Sequence, residues 1–202
     1  TATDAVDGSV EVVTSGSVDT TAAGTYTITY TATDTSNNSA SVDRVVNVIK
    51  SINLSVESLT GNWRVKREAG SLHLTSADTG EVWWSNSEID VWRRSCFFDD
   101  IYTFAQDGAF SQEMGLETWL EPFQGVDQEG CGTPVSPHNG NVTNANYIVS
   151  DSQITVNGLG AFLGLAKATN GAELSSSTEA VSSITYDVLD FSNDGLNMTI
   201  QI

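Results

Sequence analysis

The sequence predicts an all-β protein, and two observations lead to that prediction. Residues 25–33 alternate larger side chains with threonines, which is the period-two pattern of a strand buried on one face. Short runs of β-branched and aromatic residues recur along the chain, each bounded by Gly, Asn, Asp or Ser. We therefore expect a small N-terminal β-sandwich, followed by a C-terminal antiparallel β-sandwich or partly closed barrel with long loops.

The charge and composition of the chain restrict the classes of binding partner and the cellular locations that are expected for it. The 202 residues carry a formal net charge of -18 with only eight Lys plus Arg, and the isoelectric point is near 4.1. Such a chain repels phosphate backbones, so nucleic acid is not expected as a partner. No apolar run reaches the length of a membrane span, so direct membrane insertion is not expected either. The abundant Thr, Ser, Asn and Gly are typical of exported proteins. We expect a fragment of a longer protein outside the cell or on the outer-membrane surface, anchored elsewhere.

Residues 1–50 form the predicted first domain. Strand-like runs cover residues 10–13, 25–33 and 42–49, and turn-forming residues such as those at 36–39 separate them.

Several motifs in this segment resemble those of the bacterial immunoglobulin-like repeat of cell-surface proteins and polysaccharide-degrading enzymes. They lie at residues 3–8 (TDAVDG), 16–19 (GSVD), 24–26 (GTY), 30–34 (YTATD) and 45–48 (VVNV). The resemblance implies an immunoglobulin-like spacer whose first strands precede Thr1. The usual turn glycine after Asp34 is replaced by Asn37 and Asn38, which can still adopt a positive φ.

Three aspartates of this segment allow two interpretations. Asp4, Asp7 and Asp34 could supply oxygen ligands to a calcium ion, because hard cations prefer carboxylates. The favoured interpretation is that they cap turns and keep edge strands soluble, because their spacing lacks the dense alternating ligands of an EF-hand loop. No other cofactor is expected.

We assign residues 51–58 to a linker and residues 59–202 to a second β domain. Its strand-like runs lie at residues 71–74, 101–104, 109–112, 147–150, 153–156, 184–189 and 196–202. Long insertions at residues 78–98 and 115–146 interrupt the meander. Long loops on a β scaffold are where binding residues are expected.

A second set of motifs resembles modules of bacterial surface proteins. Residues 61–63, 98–110 and 154–158 resemble lipocalin-like meanders, and residues 82–85 (VWWS), 96–100 (CFFDD), 117–122 (ETWLEP), 130–132 (GCG) and 158–164 (GLGAFLG) resemble marine Bacteroidetes modules. Those modules accompany family 16 β-glucanases or form surface glycan-binding proteins beside outer-membrane glycan importers, in systems for polysaccharide utilization. The resemblance implies binding of laminarin, a β-1,3-glucan with β-1,6 branches.

The aromatic and polar residues of this domain suit a sugar-binding surface. Indoles stack on the C–H-rich faces of pyranose rings, and polar side chains bond the hydroxyls. We expect stacking from one or more of Trp83, Trp84, Trp92 and Trp119, and hydrogen bonds from Arg93, Asp99, Glu117, Glu121, Asp127, Gln128 and His138. Trp83 and Trp84 should point to opposite sides if they lie on a strand, so one of them belongs to the core. Trp63 is expected in the core.

The two cysteines, Cys96 and Cys131, predict one disulfide, because no CxxC motif or spaced histidine pair accompanies them. The bond would hold the Trp119 loop in place. No catalytic motif is present: ExDxxE, GxSxG and HExxH do not occur in the sequence. Both histidines, His73 and His138, are expected at the surface or in turns. We expect binding without enzymatic activity.

Two alternatives to glucan binding remain open at this stage. The chain could be a structural or adhesive surface module whose tryptophans are all core. A cluster of basic residues could instead form salt bridges with neighbouring carboxylates or bind an anionic algal polysaccharide. Its members are Arg64, Lys66, Arg67, Arg93 and Arg94.

Overall fold

The computed structural model describes residues 1–22, 24–48, 52, 54–75, 81–150, 152–192 and 196–202. The protein is all-β, as predicted, and its strands form several antiparallel sheets. No sheet within these described ranges closes into a barrel. The chain divides into two compact units, Thr1–Ser51 and Ile52–Ile202, which we call the N-terminal unit and the C-terminal unit.

The N-terminal unit contains a hairpin and a three-stranded sheet. The hairpin consists of β1 (Ala2–Asp4) and β2 (Gly8–Val10), and the sheet consists of β3 (Val12–Ser15), β4 (Gly24–Thr33) and β5 (Ser39–Val48). The single strand predicted at residues 10–13 is wrong, because the chain changes sheets at Glu11. Periodicity shows where a strand is extended but not which strand it pairs with.

The long pair of β4 and β5 presents its threonines on one face, as the period-two pattern predicted. Hydrogen bonds of 2.7 to 3.0 Å cross the pair between Thr25 and Asn47, Thr29 and Asp43, Thr31 and Ser41, and Thr33 and Ser39. The opposite face carries the half-buried side chains of Tyr26, Ile28, Tyr30 and Ala32. Among the described residues of this unit, none is buried.

The three aspartates considered for calcium accept hydrogen bonds in turns. Asp4 accepts one from the backbone N–H of Asp7 at 2.9 Å, and Asp34 accepts two from Asn38 at 2.7 Å. Asp7 itself accepts the backbone N–H of Thr35 at 2.9 Å. The described residues hold no group of three or more His, Cys, Asp or Glu side chains arranged for a metal ion. The geometry thus favours turn capping.

Two antiparallel sheets form the framework of the C-terminal unit. The smaller sheet contains β6 (Gly61–Trp63), β9 (Ile101–Phe104) and β10 (Phe110–Glu113), with β9 in the middle. The larger contains β13 (Asn146–Ser150), β14 (Gln153–Asn157), β15 (Ser183–Phe191) and β16 (Met198–Gln201) in chain order. A bridge between Ala109 and Asn146 links the edges of the two sheets.

Most of the core of the C-terminal unit comes from buried positions of these strands, and Leu59, Met114, Ala145 and residues 161–163 complete it. Phe104, on β9, packs edge to face on Tyr147 of β13, with ring centres 4.9 Å apart. The buried cluster is Leu59, Tyr102, Phe104, Phe110, Met114, Ala145, Tyr147, Ile154, Val156, Ala161, Phe162, Leu163, Ile184, Tyr186, Val188 and Phe191. Period-two burial thus accounts for the strands of both sheets.

The remaining regular elements are short. They are α1 (Val56–Leu59), β7 (His73–Thr75), β8 (Val82–Ser85), α2 (Glu88–Arg93), β11 (Thr118–Leu120), β12 (Gly130–Gly132) and two 3₁₀ turns at Pro122–Gln124 and Ser177–Glu179. α1 begins inside the predicted linker and ends on the fully buried Leu59. The hairpin of β11 and β12 lies within the predicted insertion at 115–146, and α2 lies within the one at 78–98. Residues 76–80 lie outside the described residues.

Candidate functional site

Two consecutive arginines lie at the C-terminal end of helix α2. Its first turn is closed by a capping box, in which the Ser87 hydroxyl accepts the Asp90 backbone N–H and the Asp90 carboxylate accepts the Ser87 backbone N–H. Hydrogen bonds donated to the Asp90 carboxylate by the Ser87 backbone N–H at 2.8 Å and by the Ser87 hydroxyl at 2.7 Å lower the pKa of Asp90. The helix ends at Arg93, with Arg94 at its C-cap.

The β11–β12 hairpin carries Trp119. In its antiparallel register Trp119 lies directly opposite Cys131. Cys131 forms a disulfide with Cys96, three residues after Arg93, with Cα atoms 6.0 Å apart. The predicted disulfide is confirmed, and it fastens the hairpin to the segment that follows α2.

Arg94 joins three segments of the chain. Its guanidinium carbon lies 4.5 Å from the ring centre of Trp119 and 5.7 Å from that of Trp84 on β8. Its Nη2 also lies 3.5 Å from a carboxylate oxygen of Glu129, and only 13% of the Arg94 side chain is exposed. Cation–π contacts of this kind contribute about 0.5 to 2 kcal/mol each. Arg94 therefore holds Trp119 in a defined orientation.

A groove with a volume of about 530 Å³ lies beside Trp119. We call it the Trp119 groove. Its lining residues are Arg93, Trp119, Gln128, Glu129, Gly130 and Cys131. Sequence reasoning assigned glycan contacts to Arg93, Trp119 and Gln128, and the structure brings these three together around one groove.

The other tryptophans are distributed as follows. Trp83 and Trp92 are 70% and 76% exposed, although neither lines the Trp119 groove. Trp84 is half-buried against Arg94, so neighbouring tryptophans on β8 do differ in exposure. Trp63 is half-buried and packs on Phe191 at 6.0 Å, in agreement with its predicted core role.

The predicted carboxylates do not gather at the groove. Asp99, Glu117 and Asp127 are exposed and lie outside its lining. Glu121 is half-buried, and its carboxylate lies 3.6 Å from the Lys167 ammonium. No pair of facing carboxylates therefore lines this groove among the described residues.

A second cavity is much smaller, with a volume of about 20 Å³. We call it the polar cavity. Its lining consists of Phe97, Asp100, Thr118, Trp119, Glu121, Gln124, His138, Phe162, Gly164, Leu165 and Ala166. The Thr118 hydroxyl donates to Asp100 Oδ2 at 2.7 Å. Burial raises the pKa of the Asp100 carboxyl to about 7, against the lowering effect of the Thr118 hydrogen bond.

The structure corrects the assignment of His138. This side chain is only 3% exposed, and its ring packs edge to face on Phe123 and Phe162 at 5.6 and 5.9 Å. Burial lowers the pKa of His138. A ring enclosed in this way cannot bond a glycan hydroxyl at the surface, so both the surface position and the predicted contact are wrong.

Sequence reasoning missed Glu129 and the bridging position of Arg94. Glu129 directly precedes the Gly130-Cys131 motif, so the predicted disulfide could have placed it near α2. Nothing in the pattern showed that Arg94 would lie against two indoles. For the basic cluster, ion pairs are observed between Lys66 and Glu68 at 2.7 Å and between Arg94 and Glu129.

Comparison with known families, proteins and structures bears on the N-terminal unit alone. Searches of curated proteins and of solved structures each found no significant match. In the described part of the chain, no helix is long and apolar enough to cross a bilayer. Residues 1–48 match the family model described as bacterial surface protein, Ig-like domain. Over those residues the chain is similar to bacterial surface Ig-like domains, which supports the immunoglobulin-like prediction and a surface or extracellular location.

Proposed function

We propose that this chain is a non-catalytic carbohydrate-binding protein of the bacterial surface, and that the Trp119 groove binds β-1,3-glucan such as laminarin. One observation carries the proposal: an indole, an arginine, an amide and a carboxylate line a single open groove. That combination offers a stacking surface for a pyranose ring together with donors and acceptors for its hydroxyls.

The size of the groove supports an oligosaccharide ligand. Its volume of about 530 Å³ lies within the range of about 300 to 1,000 Å³ that is typical of small-molecule sites. Gln128 and Glu129 are exposed in the loop that directly precedes β12, and Arg93 approaches from the end of α2. A sugar on Trp119 would therefore meet polar groups from two segments.

Two interactions within the protein also stabilise the shape of the groove in the absence of a ligand. The Cys96–Cys131 disulfide joins its two sides, and Arg94 stacks on the indole of Trp119. A platform that is already ordered loses less conformational entropy when a glycan docks. This arrangement supports a binding role for the hairpin.

The arrangement of carboxylates favours binding over hydrolysis. Glycoside hydrolysis requires two carboxyl groups facing each other across the scissile bond. Among the described residues, Glu129 is the only carboxylate that lines the Trp119 groove, and it pairs with Arg94.

The choice of a β-1,3-glucan as ligand rests on the motif resemblance of the C-terminal unit. The proposed location at the bacterial surface rests on the family match over residues 1–48.

Isothermal titration of the full chain with laminarin oligosaccharides tests the proposal. We expect the wild type to bind, and Trp119→Ala to weaken binding at least about tenfold, equivalent to about 1.4 kcal/mol of lost stacking. Trp92→Ala is the matched control, because Trp92 is exposed but lies outside the groove lining. It should leave the affinity within about twofold of wild type.

Three results would contradict the proposal, each favouring a different alternative. No response to any neutral glucan would favour a structural or adhesive role. Binding only to sulfated or carboxylated polysaccharide, with steep salt dependence, would favour an anionic ligand held by Arg93. Release of sugars from laminarin by the purified chain would establish an enzyme.

A further inference from the structure

Three buried polar atoms without a hydrogen-bond partner belong to residues that line the polar cavity. Within the described residues, four such side-chain atoms occur: Asp100 Oδ1, Trp119 Nε1, His138 Nδ1 and Gln112 Nε2. Gln112 lies outside the lining of the polar cavity, whereas the other three residues line it. Buried polar atoms nearly always have partners, so three of them on residues that line one small cavity point to a shared ligand.

These three residues come from separate parts of the C-terminal unit. Asp100 directly precedes β9, Trp119 lies on β11, and His138 lies in the segment between β12 and β13. Asp100 and His138 are only 2% and 3% exposed, so bulk solvent does not solvate them. The 2.7 Å hydrogen bond from Thr118 to Asp100 Oδ2 holds the carboxyl group in place and leaves Oδ1 for another partner.

The hydrogen-bonding chemistry of the three atoms selects the ligand. Trp119 Nε1 can only donate, so the ligand must accept a hydrogen bond, which excludes ammonium and metal cations. An anion would be repelled by the net charge of -18 on the chain and, above about pH 7, also by the ionised Asp100 carboxylate. A water molecule can accept from Trp119, donate to Asp100 and donate to the neutral His138 ring.

The volume of the cavity agrees with that choice. A water molecule needs about 10 to 15 Å³ of such space, and it makes about three hydrogen bonds when buried. The polar cavity has about 20 Å³, which admits one water and excludes a sugar. We infer that Asp100, Trp119 and His138 form a binding site for a single buried water molecule, which ties the Trp119 indole to the interior of the C-terminal unit.

The water site affects the Trp119 groove because both include Trp119. Among the described residues, Trp119 is the only one that lines both the polar cavity and the groove. Asp100 and His138 are therefore positioning residues for the groove, because they act on Trp119 through the shared water. This consequence rests on the proposed glycan function, whereas the water site itself does not.

Water-selective NMR on the ¹⁵N-labelled chain tests the site without any glycan. The chain has five tryptophans, and the Trp119→Phe spectrum identifies the Trp119 indole signal by its loss. We expect a dipolar cross-peak from the Trp119 indole proton to water, with the sign change between NOESY and ROESY that separates contact from exchange. Trp63 is the internal control, since its Nε1 donates to the Leu59 carbonyl at 2.8 Å and should give none. A Trp119 proton without a water contact would overturn the inference.

Substitutions then test His138 as a ligand of the water. His138→Phe should abolish the cross-peak, because the larger ring occupies the cavity and offers no acceptor. Asp100→Asn should retain the cross-peak, because the amide still accepts or donates. Asp99→Asn, at the exposed neighbouring position, should change nothing. A folded His138→Phe protein with a wild-type cross-peak would overturn the assignment, and the wild-type spectrum decides the case if this variant does not fold.

Laminarin affinity separates the two proposals. If the groove binds glucan, His138→Phe should weaken binding about threefold to tenfold while Asp100→Asn stays near wild type, and equal affinities would refute the positioning role. If the wild type shows the water contact but binds no glucan, the water site stands and the proposed function fails.

Discussion

The two units of this chain are stabilised by different interactions. In the N-terminal unit, hydrogen bonds between threonines and polar partners cross β4 and β5, and none of its described residues is buried. In the C-terminal unit, two sheets enclose a cluster of buried apolar side chains, and a disulfide fastens the groove hairpin. The described residues of the C-terminal unit combine this core with the Trp119 groove and the polar cavity.

The difference shows what each kind of interaction can support. A cross-strand pair contributes about 0.2 to 1 kcal/mol, whereas burying one large apolar side chain contributes about 1.5 to 3 kcal/mol. A polar ladder therefore produces extended, soluble strands that suit a spacer. A buried core can additionally hold a buried carboxyl group and an oriented indole, and binding requires such order.

The largest expected effect comes from truncating the core of the C-terminal unit. Phe104→Ala should lower the free energy of unfolding by about 4 kcal/mol, because Phe104 is 1% exposed and contacts two other rings. Tyr30→Ala, at a half-buried position of β4, should cost about 1 kcal/mol in the N-terminal unit. Hydrogen exchange of peptides from each unit during urea unfolding measures both. Equal losses would mean that the N-terminal unit has a core of comparable strength.

Removal of the disulfide should have the next largest effect. The bond closes a loop with a sequence separation of 35 residues, for which chain entropy predicts about 3 to 4 kcal/mol. In the double variant Cys96→Ser and Cys131→Ser, we expect the C-terminal unit to melt earlier and laminarin affinity to fall, with the N-terminal unit unchanged. Calorimetry with and without reductant provides the same comparison on the wild type. A loss of the same size in both units would contradict this expectation.

The buried carboxyl of Asp100 should make the C-terminal unit less stable as the pH rises. Its pKa is about 7 in the folded protein and near the ordinary value of 3.8 in the unfolded chain, so between these two pH values the folded state binds the extra proton. Its contribution is complete below about pH 4 and is lost as the pH rises through about 7. Asp100→Asn should therefore gain stability relative to wild type by on the order of 3 kcal/mol between pH 4 and pH 8.

Urea unfolding of both proteins at several pH values measures that difference. Exposed carboxylates whose pKa is lowered, such as Asp4 and Asp34, act in the opposite direction but equally in both proteins. Glu121 and His138 line the same cavity and Asp99 is adjacent, so Asp99→Asn is the matched control and should show a much smaller change. A pH-independent difference between Asp100→Asn and wild type would contradict the buried carboxyl.

The smallest effect is expected from the polar ladder. Thr31→Ala removes the 2.9 Å hydrogen bond to Ser41 and should lower the stability of the N-terminal unit by about 0.5 kcal/mol. Hydrogen exchange followed in both units should show this loss of stability in the N-terminal unit and no change in the C-terminal unit. A loss above about 2 kcal/mol would show that the ladder, and not the apolar face of β4, dominates this unit.

Local pattern predicted the strands more accurately than the contacts of the site. The run at residues 101–104 became β9 with the same bounds, because its alternation of buried and half-buried residues is a property of neighbouring positions. The two insertions were expected as long loops, yet they contain α2 and the β11–β12 hairpin. Their short elements carry too few residues for a periodic signal, and the disulfide supplies order that periodicity does not show.

Residue type was only a partial guide to the site, since the exposed Trp83, Trp92, Asp99, Glu117 and Asp127 lie outside the groove lining. Glycan contact by any of the proposed residues stays a prediction. Arg93, Trp119 and Gln128 were identified by residue type and do meet at the groove. His138 was chosen by the same reasoning but is enclosed between Phe123 and Phe162. The local sequence around a histidine does not predict whether its ring faces solvent or is buried in the interior.

The sequence by itself determined the all-β class, the immunoglobulin-like character of residues 1–48 and the pairing of the two cysteines, because each depends on local periodicity, motif or count. Tertiary structure alone decided that Arg94 would lie against Trp84 and Trp119 and that Asp100 would be buried beside His138. Those contacts join residues far apart in the chain. Their geometry depends on how sheets and hairpins pack, and packing between distant segments leaves no periodic trace in the order of the residues.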